Sequence, residues 1–93
     1  MQDIDARRRR ALYRATHRGT KEMDWLLGRY VEARLAAMDE DELAELERAI
    51  LLPDPELQSW LLAGAVPSDE FADLVHRIRA FHGIDRATEA ATA

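Results

Sequence analysis

The sequence predicts an all-α fold, a compact five-helix bundle with short connections. Three observations predict it. Five segments carry apolar residues at spacings of three and four, the pattern of a helix with one buried stripe. No segment alternates apolar and polar residues as a half-buried strand does. The segments are bounded by Gly, Pro or capping residues, and no gap between them is long enough for a second domain. Residues 1–83 read as a single helical-bundle domain and residues 84–93, small and polar, as a flexible C-terminal tail.

The first helix is expected over residues 3–16, with Ile4, the stem of Arg8, Ala11, Leu12 and Ala15 on its inner face. Gly19 suits the break after it, because glycine reaches positive φ at little cost. Thr20 is placed to cap a second helix over residues 21–37, where Glu22 and Asp24 sit at the favourable end of the helix dipole. Its stripe is Met23, Leu26, Leu27, Tyr30, Val31 and the stem of Arg34. Gly28 inside that helix weakens it by about 1 kcal/mol against alanine, so it marks either close packing of another helix or a groove.

The third helix has the clearest start. Asp39 and Glu42 form a capping box, and Met38 and Leu43 a hydrophobic staple. Leu43, Leu46, Ile50 and Leu51 are expected to face inward, and Pro53 to stop the helix. Asp54 is expected to cap the fourth helix, with Pro55 at its first helical position, Leu57, Trp60 and Leu61 inside, and Gly64 at its close. Ser68 is expected to cap the fifth, with Asp69 and Glu70 in its first turn. Phe71, Leu74, Val75, Ile78 and Phe81 point inward, and Gly83 ends the element.

Composition narrows the function. The chain has 93 residues, 18 acidic and 13 basic, and no cysteine. Thiol catalysis, a zinc–cysteine site and an iron–sulfur cluster are excluded. Apolar runs are too short to cross a membrane. Asp3 and Asp5, followed by Arg7–Arg10, do not read as a secretory signal or an organelle presequence, so a soluble cytoplasmic protein is expected.

Charge is unevenly placed: residues 1–35 carry a net +4 and the remainder a net −9. Either this asymmetry steers a partner bearing both signs, or the first and third helices simply attract each other through solvated faces. Four consecutive arginines on a helix point in four directions and line no single groove, so nucleic acid is not an expected partner. His76 and His82 are six apart, which does not give the face of a helical zinc pair, and His17 stands apart from both. No Ser-His-Asp order or phosphate loop is present, so the chain reads as a binding protein and not an enzyme.

The residues the bundle does not need lie on the second helix. On a helical wheel Glu22, Trp25 and Arg29 fall opposite the core stripe, and Arg18 joins them if the helix extends back one turn. A tryptophan between opposite charges off the core resembles an interface anchor. The alternative is a surface ion pair of Arg18 with Glu22 and a Trp25 packed on a neighbouring helix.

The run from Tyr13 to Arg29 resembles the succinate dehydrogenase assembly factor family, the small bacterial SdhE-type proteins and their mitochondrial relatives. The hallmark Arg-Gly-x-x-Glu is met by Arg18, Gly19 and Glu22. An Arg-rich first helix precedes it, and an acidic capped helix, Leu52-Pro53-Asp54 and Trp60 follow it. The similarity covers about residues 7 to 81.

That resemblance implies a five-helix bundle that binds the flavoprotein subunit of succinate dehydrogenase, or of fumarate reductase. It promotes covalent attachment of FAD to a histidine of that partner. The flavin chemistry then belongs to the partner, and no cofactor is expected to be bound tightly here. Arg18, Gly19 and Glu22 are the implied partner-binding residues, with His17, Asp24, Trp25 and Arg29 as neighbours. Gly19 would let the partner's backbone approach closely, while Arg18 and Glu22 would offer a donor fork and an acceptor. A monomer without membrane insertion is expected. The competing reading is a small regulatory interaction protein, an antitoxin-like partner, with no part in flavinylation.

Overall fold

A computed structural model describes residues 3–84. Five α-helices follow in order: α1 (Ile4–Thr16), α2 (Lys21–Arg34), α3 (Glu40–Ile50), α4 (Asp54–Leu61) and α5 (Ala72–Phe81). Short 3₁₀ turns, Leu35–Ala37 and Asp69–Phe71, extend α2 and lead into α5. No strand occurs among the described residues. The fold class is the expected one. The tail expected from residue 84 lies, beyond Ile84, outside the described residues, and Ile84 itself is half-buried against the core.

The stripes build the core. Met23, Leu26, Leu27, Tyr30 and Val31 of α2 are buried, as are Leu43, Leu46 and Ile50 of α3, Leu57, Trp60 and Leu61 of α4, and Leu74, Val75 and Ile78 of α5. From α1 only Ala11 and Ala15 are fully buried, and these small side chains let α1 lie close to α2. Gly28 completes that approach. A Cβ there would stand 3.0 Å from Thr16 Cγ2 and 3.4 Å from the Ala15 carbonyl oxygen. Of the two meanings open for Gly28, close helix packing is the one observed.

The helix starts fall in two groups. Asp3, Thr20 and Asp39 cap through their side chains, and the Asp39–Glu42 capping box is complete, with Glu42 N–H donating to Asp39 at 2.8 Å. Asp54 and Ser68 do not cap. Asp54 is the first residue of α4 and its carboxylate is bonded elsewhere, while Ser68 opens a 3₁₀ turn through its backbone carbonyl.

Three inward placements are corrected. Leu51 is 76% exposed, because α3 ends at Ile50 and the turn that follows sends Leu52 toward the core in its place. Phe81 sits at the rim, 36% exposed, its ring edge-on to Tyr30. Arg34 is exposed, and its guanidinium lies 5.5 Å from the Phe81 ring centroid, a cation–π contact at the surface.

Part of the charge asymmetry is used inside the molecule. Arg7 of α1 reaches Glu47 at 2.7 Å and Glu40 at 3.2 Å on α3. Arg8 donates to the Met38 carbonyl at 3.0 Å, which ties α1 to the turn before α3. The hydrogen bond from Arg7 holds the Glu47 carboxyl below its ordinary range, against the opposing effect of burial.

Candidate functional site

The bend between α1 and α2, residues 17–20, is tied down from several sides. Thr20 caps α2 by accepting the Met23 N–H at 3.2 Å. Asp24, one turn into α2, reaches back and accepts the backbone N–H of Arg18 at 2.5 Å. Gly19 adopts φ +107, a conformation that L side chains rarely take, and a Cβ there would meet nothing within 4 Å. The glycine is therefore required by backbone geometry, and its outer side is open.

Arg18 does not join the outer strip of α2. The helix begins at Lys21, so Arg18 lies before it, and its side chain turns toward the junction of α3 and α4. Its Nε donates to Asp54 Oδ1 at 2.7 Å and its Nη2 stands 2.6 Å from the same oxygen. Nη2 also donates to the Leu52 carbonyl at 2.8 Å, and Nη1 donates to the Ile50 carbonyl. The side chain is only 10% exposed. The donor fork expected to face outward is consumed within the chain, and the alternative, an ion pair with Glu22, is not formed either. This arrangement satisfies the carbonyls left over where α3 ends. It also explains why Asp54 does not cap α4.

The remaining expected site residues divide. Glu22 and Arg29 are exposed on α2, with no ion pair among the described residues. Trp25 is 49% exposed, and its ring lies 4.2 Å from that of His82, which in turn hydrogen-bonds the Leu26 carbonyl through Nε2 at 2.7 Å. Trp25 thus packs on the residue that follows α5 and still shows half its surface. His17 is exposed, stacks on Tyr13 with centroids 4.1 Å apart, and donates from Nδ1 to the Tyr13 carbonyl at 2.8 Å. Asp24 is half-buried and serves the bend.

The structure therefore brings Gly19, Glu22, Trp25 and Arg29 to the surface at the bend and along α2, and puts Arg18 and Asp24 beneath as supports. Sequence reasoning missed Tyr13, Leu51 and Asp54. The proximity of Asp54 to Arg18 carries no local signal, since 36 positions separate them. No group of three or more potential metal ligands occurs among the described residues, and none of their helices is long and apolar enough to cross a membrane.

Comparison with known proteins identifies the family. The family described as flavinator of succinate dehydrogenase matches residues 9–82. A protein of Acetobacter pasteurianus named FAD assembly factor SdhE is 47% identical over 68 residues, 73% of this chain and 62% of that protein. Succinate dehydrogenase assembly factor 2, mitochondrial, of Dictyostelium discoideum is 29% identical over 80 residues, 86% of this chain and 57% of that one. Another protein named FAD assembly factor SdhE, from Legionella pneumophila strain Paris, is 28% identical over 76 residues and covered over 96% of its length. The chain thus spans about three fifths of the first two relatives. No solved structure gives a significant match. With most of its length matched from the Arg-rich helix to the end of α5, the chain belongs to the family of flavinators of succinate dehydrogenase.

Proposed function

We propose that the chain is an assembly factor that binds the flavoprotein subunit of succinate dehydrogenase, or of fumarate reductase, and promotes covalent attachment of FAD to it. One observation carries the reading beyond family membership: the bend at Gly19 is exposed and open, yet fixed from beneath by Arg18, Asp24 and Asp54. A rigid, open backbone turn is suited to meeting another protein closely, because little ordering remains to be done on contact.

Under this reading Gly19, Glu22, Trp25 and Arg29 meet the partner, with His17 beside them. Arg18 and Asp24 act through the shape of the bend. The assembly factor holds one arrangement of the flavoprotein in which the histidine and flavin are near attack geometry, and it shifts the population by no more than its differential affinity. It acts as a monomer in the cytoplasm, holds no cofactor tightly, and is not itself the catalyst; the redox-active group remains with the partner.

The test is removal of this chain from its host, followed by flavin fluorescence of the succinate dehydrogenase band in denatured extracts. The expected result is loss of covalent flavin, restored by the native chain and not by a Gly19→Arg variant. Full covalent flavin in the deletion strain overturns the proposal.

A further inference from the structure

Beside the bend lies a second feature, whose apolar walls come from residues outside the motif. A shallow groove of about 450 Å³ runs between the end of α1 and the turn joining α3 to α4. Its walls are apolar: Tyr13, 63% exposed, on one side, and Leu51, 76% exposed, with Pro53 on the other. Its floor is the Arg18–Asp54 pair. Leu51 follows the last residue of α3 and stands exposed there, so a large apolar side chain lies at the surface.

The charge of the groove is also one-sided. Asp54 is its only carboxylate, and that group is neutralised by Arg18. Arg14 is exposed at the rim and forms no ion pair among the described residues, beyond the field it exerts on Glu47. His17 forms part of both the groove and the bend, so the two surfaces are continuous.

We propose that this groove is a second docking surface for the flavoprotein subunit, taking a segment that presents an apolar side chain next to a carboxylate. The apolar group sits between Tyr13 and Leu51, and the carboxylate meets Arg14. This rests on the functional reading above. Exposed apolar side chains that become covered by a partner contribute most where they line a pocket, and an unpaired arginine at the rim adds attraction that salt weakens.

The test measures affinity of the full chain for the purified flavoprotein subunit of succinate dehydrogenase from the same host. Variants are Leu51→Ser, Tyr13→Ala and Arg14→Glu, with Val66→Ser as a control, since Val66 is 89% exposed and does not line this groove. Circular dichroism melts verify that each is folded. Leu51→Ser and Tyr13→Ala are expected to weaken binding by about tenfold or more at any salt concentration. Arg14→Glu weakens it at low salt, with the difference shrinking near 1 M, where screening acts within about 3 Å. Val66→Ser binds as the native chain does. Native affinity for the folded Leu51→Ser variant, or an equal loss for Val66→Ser, overturns the groove while leaving the function standing. Failure of the native chain to bind the subunit overturns the function and the groove with it.

Discussion

The guanidinium of Arg18 and the carboxylate of Asp54 meet at 2.6 Å although 36 positions separate them in the chain. The pair joins the bend before α2 to the start of α4, and the same guanidinium closes the carbonyl end of α3. An arginine of the family's motif is therefore a structural tie.

Removing that tie should unfold the protein more easily. Arg18→Ala leaves Asp54 and two carbonyls unpaired, and loss of charge-assisted hydrogen bonds of this kind costs about 2 kcal/mol. For a domain of this size the melting temperature should fall on the order of 10 °C. Arg18→Lys keeps the charge without the planar fork and should lose about half as much. A double-mutant cycle with Asp54→Ala should show a coupling of about 1 kcal/mol or more, and additive losses would refute the tie.

Gly28 makes a sharper packing prediction. Gly28→Ala gains about 1 kcal/mol of helix propensity but drives a methyl to 3.0 Å from Thr16 Cγ2. Thr16 cannot turn away freely, because its hydroxyl donates to the Leu12 carbonyl at 2.8 Å. Overpacking should prevail, leaving a net loss of about 1 kcal/mol in denaturant unfolding. Adding Thr16→Ser removes the obstructing methyl and should restore most of it.

Acid should loosen the contact between α1 and α3. Hydrogen bonding from Arg7 lowers the folded-state pKa of Glu47 below its unfolded value. The associated stabilisation is fully present above the ordinary glutamate range and is lost as pH falls through the depressed folded-state value. Melting temperature against pH should therefore decline below about pH 4.5, and Glu47→Gln should flatten that decline while lowering stability slightly at neutral pH. Identical slopes for both proteins would count against the pair.

Glu22 and Gly19 separate recognition from folding. Glu22 is exposed, so Glu22→Ala should change stability by less than about 0.5 kcal/mol. Covalent flavin in the partner should nevertheless fall by about tenfold. Gly19→Ala and Gly19→Arg share the strain of φ +107, roughly 1–2 kcal/mol, and should melt alike. Only the arginine adds bulk on the open side, so only it should abolish partner binding. Equal flavin yields from the two would remove the close-approach role of Gly19.

Much of this architecture is written locally. The Asp39–Glu42 box, Thr20 as a cap and the stripe from Met23 to Val31 are legible because helix periodicity and capping depend on residues three or four apart. The positive φ of Gly19 is legible for the same reason. Three features were not. The spacing of Leu51 fits the buried stripe, whereas the chain leaves the helix one residue earlier. Asp54 and Ser68 have the composition of caps, but one carboxylate was claimed by a distant arginine and one start became a 3₁₀ turn. Extending α2 backward puts Arg18 on the outer strip, and only the tertiary approach of α3 and α4 shows where its fork goes.

The engagement of Asp54 has a consequence for how α4 melts. The third helix carries its own capping box, so its start is held by residues three apart. The fourth is eight residues long, opens on Pro53 without a side-chain cap, and has its first residue held by an arginine 36 positions away. Its first turn is thus fastened from outside the helix, and severing that fastening should let the shortest α-helix fray from its front while Leu57, Trp60 and Leu61 still hold the rest to the core.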